Sequence, residues 1–302
     1  MPPGLRSRIL ALLLVPCFTS LVACAFDANA SPRATILDAA GVALVTWNDN
    51  LCIAHVHLDG HGPYRFLLDT GASATFVTPA CAQVARLELT AGKLHIDAAG
   101  ASRTRPVEQA VVSELRLGGS RFQNVPVVVV EMEDARGLDG VLGFPVFADV
   151  LLTLDGPGRR LVLEHGRLPR PNGADVLALE KGRLEHECPR VRGHVGGQPA
   201  VFLIDSGFDG FAWMESSFPR RYGLAFEPDP DGEGTVSTEG GRRDVVHGRL
   251  RERITIGSLT VVDVPVIAGR GATWLLGGAF LKDYVTTFDQ ASRAVRFRRT
   301  SN

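Results

Sequence analysis

Two aspartates carry the chemistry this 302-residue chain could do. Asp69 ends the apolar run Phe66-Leu67-Leu68 and is followed by Thr70-Gly71. Asp205, 136 residues later, ends Phe202-Leu203-Ile204 and is followed by Ser206-Gly207. A carboxylate that closes an apolar strand is commonly a turn or cap residue. The doubled context points instead to two groups that work together. Two carboxylates a few ångströms apart cannot both ionise readily, so they share a proton. The ionised partner takes a proton from water and makes it nucleophilic, while the protonated partner supports a developing oxyanion. Titration then belongs to the pair, and neither residue is assigned as the permanent acid. Gly71 and Gly207 let the carboxylates approach backbone N–H groups without a Cβ in the way. Ser73 and Asp209, each four residues after its aspartate, are placed for outer hydrogen bonds to the pair. Asp209, if ionised, would raise both pKa values. His55, His57 and His61 are a rival group, since His55 and His57 alternate on one strand face as metal ligands do. Only Asp59 stands near them, in a turn, so they are read as exposed strand and turn histidines. No metal and no cofactor is expected.

The elements that must position these residues occur twice. AHVHLDGHGPYRFLLDTG (54–71) matches RVRGHVGGQPAVFLIDSG (190–207): strand, glycine turn, strand ending at Asp. LGGSRFQNVPVVVV (117–130) matches IGSLTVVDVPVIAG (256–269). LDGVLGFPVFADVLLTLDGPGRRLVLE (138–164) matches TWLLGGAFLKDYVTTFDQASRAVRFR (273–298). Asp69 precedes Gly143 by 74 residues and Asp205 precedes Gly277 by 72. Short Val- and Ile-containing apolar runs between Gly, Pro, Asp and Asn predict an all-β chain. One helical segment per half is expected, near TPACAQVARL and SSFPRRYGL. GRLPRPNGAD (166–175) is the linker. The boundaries read as residues 46–165 and 177–302 for two lobes, with 166–176 between them. Core packing is the reading for Trp213 and Trp274; lining an apolar cleft pocket is the minor one.

FLLDTGAS with DGVLGF, and FLIDSGFDG with WLLGGAF, resemble the retropepsin and pepsin superfamily of aspartic peptidases, especially its bacterial retropepsin-like branch. The resemblance covers roughly residues 46–300. It implies two retropepsin-like β-barrel lobes in one chain, related by a pseudo-twofold axis. Asp69 and Asp205 would form the catalytic dyad in a monomer, acting on extended polypeptides without nucleic acid, metal or cofactor. Thr70 and Ser206 would bond across the lobes, and Gly143 and Gly277 would let the chain pass tightly beneath the Asp loops. The pattern departs from pepsin at the flaps. IDAAGASRTRP (96–106) and TVSTEGGRRDV (235–245) read as hairpins, and the three tyrosines, 64, 222 and 284, lie in neither. A non-catalytic peptide-binding lipoprotein on the same fold is the alternative, and an enzyme processing one envelope protein is a third reading.

Composition is that of a globular protein: 45% hydrophobic, 22% charged, net charge −1. No basic stripe suggests nucleic acid. MPPGLRSR followed by 15 apolar residues reads as a signal peptide over 1–23, too short and Pro-interrupted for a membrane span. Leu21-Val22-Ala23-Cys24 resembles the bacterial lipobox, which implies lipidation of Cys24 and a tether over 24–45. An ordinary cleavage site near Ala23-Cys24-Ala25 is the other reading. Removing residues 1–23 leaves 30 basic against 33 acidic residues, net −3. The expected location is the periplasm-facing cell envelope, outer membrane before inner because Ala25 follows the Cys; a soluble periplasmic or secreted form is the alternative. Cys52, Cys81 and Cys188 remain in an oxidising compartment. A Cys52–Cys188 bridge between lobes, a Cys52–Cys81 bridge and three buried thiols all stay open.

Overall fold

The computed structural model describes residues 12–13, 30–39, 41–43, 45–98, 101–132, 137–180, 188–238, 241–270 and 274–299. The chain is almost entirely β-strand, and the two halves run through the same elements in the same order. In the first half, Leu51–Leu58 and His61–Asp69 form a hairpin, then come Thr75–Val77, a helix over Pro79–Val84, and a long hairpin of Thr90–Ala98 with Ala101–Leu117. Ser120–Val129, Gly140–Gly143 and a 3-10 turn over Phe144–Phe147 follow. The second half repeats this with Arg190–Val195, Gln198–Ile204, Ala212–Glu215, a helix over Phe218–Tyr222, and the hairpin Phe226–Thr238 with Gly241–Leu250. Val264–Gly269, Trp274–Leu276 and the short helix Gly278–Leu281 complete it.

Local chemistry accounts for the breaks between strands. Thr78 caps the first helix by accepting from Cys81 N at 3.1 Å, with Pro79 in its first turn. Pro219 opens the second, and Gly223, in the left-handed region at φ +63°, ends it. Along Leu51–Leu58 the buried positions include Ala54, Val56 and Leu58, leaving His55 and His57 half-buried on the other face. His55 Nε2 lies 3.2 Å from Thr46 Oγ1.

Among the described residues there are three sheets. A nine-stranded sheet belongs to the first half and a ten-stranded one to the second, with Leu12–Leu13 paired to Ser237 and Thr238 at its edge. The third, six-stranded, is built by both halves, in the order Val176–Ala178, Ala294–Arg298, Val285–Asp289, Leu151–Asp155, Arg160–Glu164, Val42–Ala43. At its centre Leu151–Asp155 pairs antiparallel with Val285–Asp289, Thr153 opposite Thr287. These threonines are repeat equivalents that meet each other, so the pseudo-twofold axis passes between them. Their hydroxyls are buried and bonded at 2.9 Å.

Two boundaries differ from those read in sequence. Ala34–Ile36 pairs with Ser120–Val129, and Val42–Ala43 with Arg160–Glu164, so these two short segments belong to the folded body rather than to a tether. Free sheet edges took up these short polar-flanked segments. Val176, given to the linker, already begins a strand. Residues 166–175 carry no strand and are tied down by Leu168 N donating to Asp289 Oδ2 at 2.8 Å. Residues 1–11 and 14–29, with Cys24, lie outside the described residues.

The Thr153–Thr287 pair yields a test of how the halves are joined. Thr287→Val alone leaves a buried hydroxyl without its partner and is expected to cost about 1–3 kcal/mol. Thr153→Val with Thr287→Val removes both polar groups and is expected to be closer to wild type than either single change, read as urea-unfolding midpoints.

Candidate active site

Asp69 and Asp205 end equivalent strands and come together at the axis, both fully buried. Thr70 and Ser206 lock them there by a reciprocal set of four hydrogen bonds. Thr70 Oγ1 donates to Ile204 O at 2.7 Å and accepts from Ser206 N at 3.0 Å. Ser206 Oγ donates to Leu68 O at 2.8 Å and accepts from Thr70 N at 3.0 Å. Each hydroxyl therefore satisfies one carbonyl and one N–H of the opposite half, and no polar group of this layer is left over. The expected cross-lobe role of Thr70 and Ser206 has this geometry behind it.

Each glycine holds one carboxylate and makes room for the other. Gly71 N donates to Asp69 Oδ1 at 2.7 Å and Gly207 N to Asp205 Oδ1 at 3.0 Å. A Cβ at Gly71 would lie 2.6 Å from Asp205 Cγ, and one at Gly207 2.3 Å from Asp69 Cγ. Any side chain there would push the aspartates apart.

Beneath the loops, Gly140–Gly143 runs parallel to His61–Asp69, with Gly143 opposite Asp69, and antiparallel to Thr75–Val77. Trp274–Leu276 lies the same way between Gln198–Ile204 and Ala212–Glu215. Phe144 N donates to Ala72 O at 2.9 Å, and Gly278 N to Phe208 O at 2.6 Å. A Cβ at Gly143 would lie 2.2 Å from Ala74 O, and one at Gly277 2.3 Å from Gly210 O. Both glycines thus pass directly under the aspartate loops.

The outer positions behave differently. Ser73 is buried, but its Oγ has no hydrogen-bond partner among the described residues, so the outer bond expected from it is not formed. Asp209 is half-buried, and its carbonyl accepts from Asn50 Nδ2 at 2.9 Å. Trp213 packs with Leu203, Phe208 and Leu275, and Trp274 sets its ring edge-on to Phe218, so both belong to the packed interior. The two long hairpins are present, paired up to Ala98 with Ala101 and Thr238 with Gly241; their tips, 99–100 and 239–240, lie outside the described residues.

None of Cys52, Cys81 and Cys188 is bridged; all are buried thiols. Burial pushes the Cys52 and Cys81 thiols up to about 12. The equal spacing of Cys52 and Cys188 before their aspartates is misleading. Strand register pairs Ile53 with Leu67 but Arg190 with Leu203, so Leu51, not Cys52, is the equivalent of Cys188. Cys52 faces the main core, whereas Cys188 crosses to the first half, its Sγ donating to Gly71 O at 2.9 Å. Sequence reasoning missed this contact and those of Asn50 and of Gln290, whose Nε2 donates to Phe144 O at 2.7 Å. The spacing of Cys188 was the one visible signal.

Electrostatics follow from this burial. Asp69 is raised well above the usual carboxylate range, first by burial, then by the charge of Asp205 and the hydrogen bond between the two carboxyls. Asp205 is pushed up to about 6 by burial, against the lowering effect of its bonds from Asp69, Gly207 and Phe208. Burial and the pair itself, rather than the charge of Asp209, are the leading causes. A raised carboxyl pKa costs the folded state stability once the unfolded chain ionises, above its ordinary 3.8, and the loss is complete above the folded value. Asp205→Asn removes that penalty. Its melting temperature relative to wild type is therefore expected to rise from pH 4 to pH 7, by thermal denaturation at each pH; a constant difference would contradict a raised pair.

No curated protein matches the sequence. The model of the aspartyl protease family matches it twice, over residues 54–146 and 191–280, each match running from the first strand of a half past its under-passing glycine. With both copies in place around one buried pair of aspartates, the chain belongs to the aspartyl protease family, as a retropepsin-like member with its two lobes fused.

Proposed function

We propose that the chain is an aspartic endopeptidase in which Asp69 and Asp205 activate a water against a peptide carbonyl. One observation carries the reading. The two Oδ1 atoms are held by glycine N–H groups, while both Oδ2 atoms are buried with no partner among the described residues outside the pair, and the carboxyls stand within bonding reach of each other. That is the arrangement that keeps one proton and one water between two acids. In the one-proton state the ionised carboxyl takes a proton from water as its oxygen bonds to the carbonyl carbon. The protonated carboxyl gives its proton to the carbonyl oxygen. The tetrahedral diol then collapses with a proton passing to the amide nitrogen, the C–N bond breaks, and the pair is left with one proton again. The substrate is an extended polypeptide, bound strand-like beneath the two long hairpins. Thr70, Ser206, Gly71 and Gly207 hold the acids, and Gly143 and Gly277 support their loops.

The leader supports an envelope location. The resemblance of residues 21–24 to a lipobox makes Cys24 the lipid-bearing first residue of the mature protein, with the outer membrane favoured by Ala25. Its substrates are then envelope polypeptides.

The activity test is mass-spectrometric mapping of cuts in a proteome-derived peptide library at several pH values. Cuts by wild type that are absent with Asp69→Asn and with Asp205→Asn are expected. Folded wild type that binds peptides as the variants do, and cuts none, would make the protein a binder. For location, Cys24→Ala is expected to move the protein from the membrane to the soluble fraction of the producing cells; unchanged fractionation would remove the lipid anchor from the account.

A further inference from the structure

Gly71 serves the site three times. Its N–H holds Asp69 Oδ1, its Cα abuts the Asp205 carboxyl, and its carbonyl accepts from Cys188 Sγ at 2.9 Å. Cys188 comes from the other half, immediately before Arg190–Val195, and is buried against Leu203, Phe208, Trp213, Val245, Ile267 and Leu275. A carbonyl only accepts, so this bond needs the thiol proton. The amide that carries the carbonyl is the Gly71–Ala72 peptide. The N–H of that same peptide, on Ala72, donates to the main-chain carbonyl of Asp69 at 3.3 Å and closes the turn that carries the carboxyl, and its nearness favours the ionised Asp69. A donor on an amide oxygen polarises the amide and strengthens what its N–H gives. Cys188 thus stands at the head of a chain from Sγ–H to the Gly71 carbonyl and from Ala72 N–H to the main-chain carbonyl of Asp69, which sets the turn that presents the carboxyl. The other half lacks the device. Leu51 stands in the equivalent place, and its side chain has no donor to offer Gly207.

We propose that Cys188 is a positioning residue, which holds the Asp69 loop through the Gly71–Ala72 amide and makes the two carboxylates of a nearly twofold site inequivalent. The inference rests on Asp69 and Asp205 being the working pair. Asp205 is the charged group that acts on Asp69 across the axis, and Cys188 shares its hydrophobic cluster with Leu203, Phe208, Trp213 and Leu275.

The test compares the full chain as wild type, Cys188→Ser, Cys188→Ala and Cys188→Val. Serine keeps a donor, alanine removes it, and valine removes it while refilling the volume. The first readout needs no activity: carboxyl-carbon NMR titration of the two aspartates in protein labelled with 13C at the aspartate carboxyl. The Asp69 midpoint is expected to rise by roughly half a unit or more in the alanine and valine variants, with serine staying at or below wild type. The second readout is kinetic, on any peptide that wild type cuts. There kcat is expected to fall about three- to tenfold with KM within about twofold in the alanine and valine variants, and serine is expected to restore it. Titrations identical in all four proteins, a serine variant that shifts as far as valine, or an effect confined to KM would each overturn the proposal and leave Cys188 as core packing. If wild type cuts no peptide, the peptidase reading fails, and the titration still decides the place of Cys188.

Discussion

Two carboxylates are held in contact inside the protein, where neither would choose to be ionised. That unfavourable contact is the constraint that the rest of the chain is arranged around. Burial raises both groups, and their mutual repulsion ensures that the pair keeps a proton where ordinary carboxylates have lost theirs. A site of this kind cannot be held by attraction between its own members. It has to be held from behind, by groups whose bonds are complete. The Thr70–Ser206 exchange does this with four buried bonds, each crossing between halves. The six-stranded sheet does it again, through Thr153 and Thr287.

Fusing the two halves in one chain lets equivalent positions diverge. Leu51 answers to Cys188, Ala72 to Phe208, Phe76 to Trp213, and Phe144 to Gly278. The last difference has a visible cause. Asn50 crosses from the first half to donate to Asp209 O, and a Cβ at Gly278 would lie 2.0 Å from the Asn50 carbonyl. The second glycine of WLLGGAF is therefore the footprint of this contact. Phe144, its counterpart, packs edge-on against Phe288.

Much of this was legible in the sequence, because the repeat constrains it twice. FLLDTG and FLIDSG placed the aspartates, hydroxyls and glycines that meet at the axis. The apolar-Gly landmarks placed Gly143 and Gly277, and the two short helices fell where Thr78-Pro79 and Pro219 to Gly223 allow them. What escaped was whatever depends on register or on a long-range partner. Cys188 was compared with Cys52 because both stand 17 residues before an aspartate, but the first hairpin carries one extra residue as a bulge between Val56 and Leu58, and one residue turns a side chain to the opposite face of a strand. Residues 34–43 looked like a tether because two- and three-residue strands carry almost no pattern of their own; only the edges of Arg160–Glu164 and Ser120–Val129 make them strands. The mutual repulsion of the two aspartates, and Asp209 as an added charge, could be read because acids are visible in a sequence, whereas burial, the first cause for both, is not.

That last point bears on how the site would be tuned. If partner charge set the titration, exchange of one outer residue would move it. Here burial is the first cause for both acids, and burial is a property of every apolar side chain stacked behind them: Leu67, Ala72, Phe76 and Val141 on one side, Leu203, Phe208, Trp213 and Leu275 on the other. These two small clusters stand apart from the main core and lie against the strands that deliver the aspartates. Their packing therefore contributes to the proton affinity of the pair as well as to stability. Within these clusters the thiol of Cys188 also reaches a dyad loop, donating to Gly71 O, so a single side chain as well as a packed surface bears on Asp69.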